Sequence, residues 1–126
     1  MLKQFSFQKD QFRMNEKIIL KHVSGFSFLG AGDIVRIEAD NNYVKLFLVD
    51  GEMIHLAKTL KQMEATLPEN AFIRVHRSHL INPDFVKSYR NIKGSFAVLQ
   101  DGTRVPVSRR KLAGFVEALQ KKGKLP

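Results

Sequence analysis

The chain has no cysteine and no tryptophan. Without thiols, disulfides and cysteine-ligated metal centres are excluded, and a reducing compartment fits. Long apolar runs are missing too: no stretch approaches the ~20 residues that span a bilayer. The opening MLKQFSFQKDQF is broken every few residues by polar or charged groups, so it does not read as a secretory signal. These absences point to a soluble, cytoplasmic domain with no membrane partner. A fourth scarcity is local. Between residues 74 and 111 the only acids are Asp84 and Asp101, against nine bases: Arg74, Arg77, Lys87, Arg90, Lys93, Arg104, Arg109, Arg110 and Lys111. Residues 1–73 balance nine Lys/Arg with nine Asp/Glu, so the net charge of +9 is concentrated in one part of the chain. Like charge gathered in this way works against compact folding, and its segregation favours a polyanion-binding face.

What remains is the material of one ordinary domain. At 126 residues with 44% hydrophobic side chains, the chain can bury a core without covalent staples. Asp-Gly occurs at 50–51 and 101–102, each time between runs rich in β-branched and aromatic residues, which predicts two hairpins. In YVKLFLV, Val44, Leu46 and Leu48 share one face, with Tyr43, Lys45 and Phe47 on the other. Further strands are expected at 18–23, 33–39, 72–76 and 85–89. Pro106 cannot donate to a ladder, so its strand belongs at an edge. Thr59 and Gln62 make a capping box for a short helix over about 59–67, stopped by Pro68. A second helix is expected over about 108–122, with Leu112, Phe115, Val116 and Leu119 on one face and Gly123 at its end. The expected organisation is an arm or peripheral strand at 1–16, a mainly β domain at 17–122 and a basic tail at 123–126.

Three places hold chemistry. In FIRVHRSHLIN (72–82), Arg74 and His76 point to one strand face and Val75 to the other, which leaves Arg77, Ser78 and His79 at a strand end or in a turn. Arginine offers a planar fork suited to phosphate or to the O6/N7 edge of guanine. Arg77 is the hardest of these to explain as architecture. His79 reads either as a core histidine or as a donor, and Asn82 before Pro83 either as a turn residue or as a donor. Ser108, Arg109, Arg110 and Lys111 open the second helix, where the backbone already carries partial positive charge. Cations there are disfavoured by about 0.3–1 kcal/mol each, so free amides and three cations together suit an anion. Asn41-Asn42-Tyr43 reads as a turn, or as donors able to reach adenine edges, with Tyr43 or Lys45 on a phosphate.

Enzyme readings are weaker. His76 and His79 have HxxH spacing, but i, i+3 ligands want a helix and Asn82-Pro83 argues against one. GFSFLG (25–30) lacks the spacing of a nucleophile elbow. Gly30-Ala31-Gly32 lacks the third glycine and following helix of a dinucleotide loop. No catalytic residue, cofactor or metal is expected.

Taken in order, DIVRIEADNNYVKLFLVDG, the TLKQMEATL helix, FIRVHRSHLIN and VPVSRRKL resemble the LytTR DNA-binding domain over about residues 17–120. The resemblance implies a bacterial transcription regulator with an elongated, mainly β fold of short antiparallel strands and hairpins with two short helices. Such domains read duplex DNA with loops between strands. Here the base contacts would come from Asn41, Asn42, Arg77 and Arg109. Tyr43, Lys45, His76, Ser78, Asn82, Ser108, Arg110 and Lys111 would hold phosphates. The resemblance also implies two copies on direct repeats. Many members carry a phosphorylatable receiver ahead of this module and none is recognisable in this sequence. The chain therefore reads as a stand-alone regulator or a piece of a longer one, with a sensor or receiver as a partner. The competing class is an RNA or single-strand binder that stacks bases on some of the ten Phe and two Tyr. Most of those Phe lie in hydrophobic alternation and are expected in the core.

Overall fold

The computed structural model describes residues 17–22 and 24–125. The expected arm at 1–16 and Val23 lie outside them. Among the described residues the chain forms ten short strands, two α-helices and three 3-10 turns. In chain order these are β1 (Lys17–His22), β2 (Gly25–Gly30), a 3-10 turn (Ala31–Asp33), β3 (Ile34–Asp40), β4 (Tyr43–Leu48) and β5 (Met53–Leu56). Helix α1 (Leu60–Thr66), β6 (Ile73–His76), β7 (His79–Ile81), a 3-10 turn (Pro83–Phe85) and β8 (Val86–Asn91) follow. The chain continues through β9 (Ser95–Leu99), β10 (Arg104–Pro106), a 3-10 turn (Arg109–Lys111) and α2 (Leu112–Lys121).

All pairing is antiparallel. A five-stranded sheet in the order β5-β4-β3-β7-β6 lies between two cores, accompanied by the β1-β2 hairpin and a three-stranded β10-β9-β8 sheet. The two-residue period of strands divides the apolar side chains between those cores. From β7, Leu80 goes to one and Ile81 to the other; from β3, Ile37 faces one and Val35 the other core, and a register shift between Ile34 and Arg36 breaks the period so that Ile34 joins Ile37. The first core adds Ile18 and Leu20 of β1, Val44, Leu46 and Leu48 of β4, and Leu60 and Met63 of α1. The second adds Val75, Val86, Ala97, Leu99, Val105, and Phe115 and Leu119 of α2. Each of these large side chains contributes about 1.5–3 kcal/mol on leaving water.

Both Asp-Gly hairpins form as read from the sequence. Asp50 Oδ1 accepts the Glu52 amide at 2.9 Å and Asp101 Oδ1 accepts the Thr103 amide at 2.9 Å. Gly51 and Gly102 take φ of 94° and 90°, which L side chains resist. Pro106 lies on the edge strand β10. The capping box of α1 is closed in both directions, with Gln62 N donating to Thr59 Oγ1 at 3.1 Å and Thr59 N to Gln62 Oε1 at 2.9 Å. Gly123, at φ 75°, ends α2 in a Schellman turn, where Lys124 N donates to Leu119 O and Gly123 N to Gln120 O, both at 2.9 Å.

Four readings need correction. GFSFLG is a strand, β2, where no strand was expected. His79–Ile81 is a separate strand, β7, so Arg77-Ser78 is the two-residue turn of a β6-β7 hairpin. The second helix is shorter than 108–122: Arg109–Lys111 is a 3-10 turn, with Lys111 N donating to Ser108 O at 3.0 Å, and the α-helix starts at Leu112. The cause is a backbone hook, in which Ser108 N donates to Val75 O at 2.8 Å and holds Ser108 extended beside β6. The described phenylalanines, finally, are not mostly buried, although Phe72 and Phe85 pack partly buried against the two cores. Among the described residues only Phe115 is fully buried, while Phe26 and Phe28 are 60% and 42% exposed.

Candidate nucleic-acid interface

Antiparallel pairing decides which loops meet. β3 runs into the Asn41-Asn42 turn and β4 returns from it, while β6 runs into the Arg77-Ser78 turn and β7 returns beside β3. With Glu38 opposite His79, both turns fall at the same end of the five-stranded sheet, and Ala39 N donating to Ser78 O at 2.9 Å ties one to the other. The Ser108 hook on Val75 brings the third segment to that end of β6. Three stretches at least 30 residues apart in sequence thus share one edge.

Within this edge the side chains are available. Asn41 and Asn42 are exposed, Asn41 in the left-handed conformation (φ 59°) that asparagine tolerates. Arg77, Arg109 and Arg110 are exposed and Lys111 half-buried, and none of these four cations is paired with another described side chain. Ser78 N donates to His76 Nδ1 at 3.1 Å. An accepting Nδ1 puts the neutral ring's proton on Nε2, which leaves Nε2–H as the donor towards an external acceptor. Ser108 is half-buried, and its hydroxyl does not cap the turn that follows. Tyr43 is 46% exposed, Lys45 half-buried.

Asn82 departs from its expected place on a phosphate. It is 3% exposed, its Nδ2 donates to Ile34 O at 3.0 Å and to Ala31 O at 3.3 Å, and its Oδ1 accepts the Asp84 amide at 3.0 Å. Every polar atom of the side chain is used inside the protein, so Asn82 ties the 3-10 turn before β3 to the 3-10 turn after β7. His79 is half-buried on β7, its ring 5.3 Å from that of His76. Its Nδ1 is buried without a partner, so it is no satisfied core histidine. Burial holds its pKa below the usual 6.5; Glu38 works against that lowering, and His76 and Arg36 add to it. Among the described residues no three metal ligands come together, and no helix is long and apolar enough to cross a membrane.

Two contributors escaped the sequence reading. His55 of β5 stacks on Tyr43 with ring centroids 4.8 Å apart, and its Nε2 lies 3.3 Å from Asp40 Oδ2, so it braces the base of the Asn41-Asn42 turn. Pairing of His55 with Lys45 puts it on that face, a register that no local pattern in β5 gives. Arg74 counts among the bases of its segment, yet its guanidinium is turned inward, with Nη1 2.6 Å from Glu64 Oε1 on α1.

The fold and this edge define a small β domain whose cationic face is built from loops. The LytTr DNA-binding domain family model matches residues 25–120, and the chain belongs to that LytTR family of DNA-binding regulator domains. It is 30% identical over 111 residues to the transcriptional regulatory protein NatR of Bacillus subtilis, covering 86% of this chain and 47% of NatR. It is 32% identical over 79 residues to the sensory transduction protein LytT of the same organism, covering 61% of this chain and 32% of LytT. Over 90 residues it is 30% identical to the heme-containing CO-sensing transcriptional regulator RcoM 2 of Paraburkholderia xenovorans, covering 69% of this chain and 33% of that protein. The chain therefore spans about half or less of the length of these relatives. Its fold matches the LytTr DNA-binding domain of a methyl-accepting/DNA response regulator from Bacillus cereus with a TM-score of 0.70, at 24% identity, covering 82% of this chain and 96% of the other.

Proposed function

We propose that this chain is a sequence-specific, double-stranded-DNA-binding transcription regulator of the bacterial cytoplasm that reads the major groove with its inter-strand loops. The carrying observation is the placement of Arg77 at the tip of a turn, its guanidinium free of any described partner, on the edge that also holds Arg109. Two exposed guanidinium forks at one end of a rigid sheet suit the O6/N7 edges of guanines, and Asn41 and Asn42 suit adenine. Tyr43, Lys45, His76, Ser78, Ser108, Arg110 and Lys111 surround those four residues as phosphate contacts that set register. Two copies side by side on direct repeats extend the site, and a sensor or receiver segment controls access to it. No step of this reading calls for catalysis or a cofactor.

Selection of bound duplexes from a random library at about 150 mM salt, where non-specific phosphate binding is weak, tests the proposal. Recovery of a short motif, repeated in one orientation about a helical turn apart, is the expected result. Recovery of bulk DNA without a motif refutes sequence reading. A preference for single strands in direct competition would move the function to RNA or single-stranded DNA.

A further inference from the structure

The Arg77 turn is held from behind. Arg74 Nη2 donates to Arg77 O at 2.7 Å and Arg74 Nε donates to His76 O at 2.9 Å, while Nη1 meets Glu64 Oε1 at 2.6 Å. One planar guanidinium thus grips two successive carbonyls of the turn and anchors itself on α1. The grip matters because the β6-β7 ladder shifts register between Arg74 and His76, just below the turn. A bulge bends its strand and leaves an unpaired residue, so ladder hydrogen bonds alone do not set the direction of Arg77. Arg74 is 22% exposed at its side chain and its charge is met by Glu64, which separates it from the unpaired cations of the edge.

We propose that Arg74 is a positioning residue for sequence reading: it aims the Arg77 turn, and Glu64 on α1 holds it in place. This rests on the base-reading role of Arg77 proposed above. Only arginine has three coplanar donor nitrogens for this arrangement. A lysine keeps the charge but cannot serve two carbonyls and a carboxylate with the same geometry.

The test is a double-mutant cycle on Arg74→Lys and Arg77→Ala. The probe is the duplex recovered by the selection, with a random duplex of equal length as reference. Arg74→Lys is expected to lower the preference for the selected duplex roughly tenfold, as the loss of one good base contact does. Binding to the random duplex should hold, and in the Arg77→Ala background the same change should cost nothing further. Glu64→Gln, at a more exposed position on α1, should lower the preference several-fold with an unchanged unfolding midpoint. It keeps the test open if Arg74→Lys does not fold. An equal loss with and without Arg77, or an equal loss on both duplexes, overturns the positioning role. An Arg77→Ala protein that keeps full preference overturns the base-reading assignment beneath it, and this proposal with it.

Discussion

Replacing Asn82 by alanine removes three hydrogen bonds from a side chain that is 3% exposed: two donated by Nδ2 to Ala31 O and Ile34 O, and one accepted from the Asp84 amide. A typical intramolecular hydrogen bond contributes about 0.5–1.5 kcal/mol net, and a buried partner left unsatisfied costs about 1–3 kcal/mol. Ile34 is wholly buried, so its carbonyl has no easy route to solvent, whereas the Asp84 amide lies near the surface. The expected destabilisation is therefore about 2–4 kcal/mol. Asn82→Asp should be no milder: it keeps the acceptor for Asp84 but turns a carboxylate towards two carbonyls. Urea unfolding followed by circular dichroism measures the change at constant m-value. The same proteins, titrated with selected and random duplexes, separate architecture from phosphate contact. A neutral side chain on a phosphate displaces no counterion, so its loss weakens binding to all duplexes alike and leaves stability alone. A loss of stability below about 0.5 kcal/mol, or uniformly weakened DNA binding at unchanged stability, would refute the architectural assignment of Asn82.

Three further outcomes are expected. Arg77→Ala and Arg109→Ala should each cost about 1–3 kcal/mol on the selected duplex and relax base preference, while Lys111→Ala weakens all duplexes alike; equal losses on selected and random DNA for the arginine variants would contradict those roles. His79, with its pKa held below 6.5 by burial, binds fewer protons folded than unfolded. The stability it supports is therefore complete above the unfolded pKa and declines as pH falls from there towards its lower folded value. Urea midpoints between pH 5 and 7 should fall less steeply for His79→Gln than for the parent chain, and parallel curves would refute this. Thr59→Ala removes the Oγ1 that accepts the Gln62 amide, leaves the arm from the residue 59 amide to Gln62 Oε1, and should cost about 1 kcal/mol by thermal or urea unfolding; an unchanged midpoint would show that the remaining arm and the packing of Leu60 and Met63 set the helix start.

Legibility in the sequence followed the strength of local signals. The Asp-Gly turns, the Thr59 box and the alternation of Val44, Leu46 and Leu48 are short-range devices, and each folded as read. β7 was hidden because three residues, HLI, are too short to show alternation. β2 was hidden because Gly25 and Gly30 bracket aromatic residues that end up largely exposed. The 3-10 turn at Arg109 depends on a bond from Ser108 to Val75, 33 residues away in sequence, which no local pattern encodes. The same limit hid the partners of Arg74, since alternation gives the face a side chain points to and not the partner it reaches; of the two alternatives for Asn82, the turn residue is the one found, capping the 3-10 turn at Pro83. Arg77 was legible for the opposite reason: a long cation with no architectural use is conspicuous in sequence because nothing nearby accounts for it.

The charge distribution then gains a physical reason. A basic segment destabilises a compact chain through self-repulsion, and the fold relieves this by spreading its cations over turns and edges while its strands fill the cores. Arg74 has Glu64, and Arg104 lies over the Phe96 ring at 5.1 Å. Arg77, Arg109, Arg110 and Lys111 have no such partner among the described residues, and they sit together on the loop edge. Repulsion left standing at one edge is relieved when a polyanion binds, so the unpaired cations add to affinity there while the paired ones add little. Neutralising Arg104 should accordingly leave the salt dependence of DNA binding nearly unchanged, while neutralising Arg110 should lower its slope by about one. Equal slopes for the two variants would mean that the whole basic segment, and not this edge, faces the DNA.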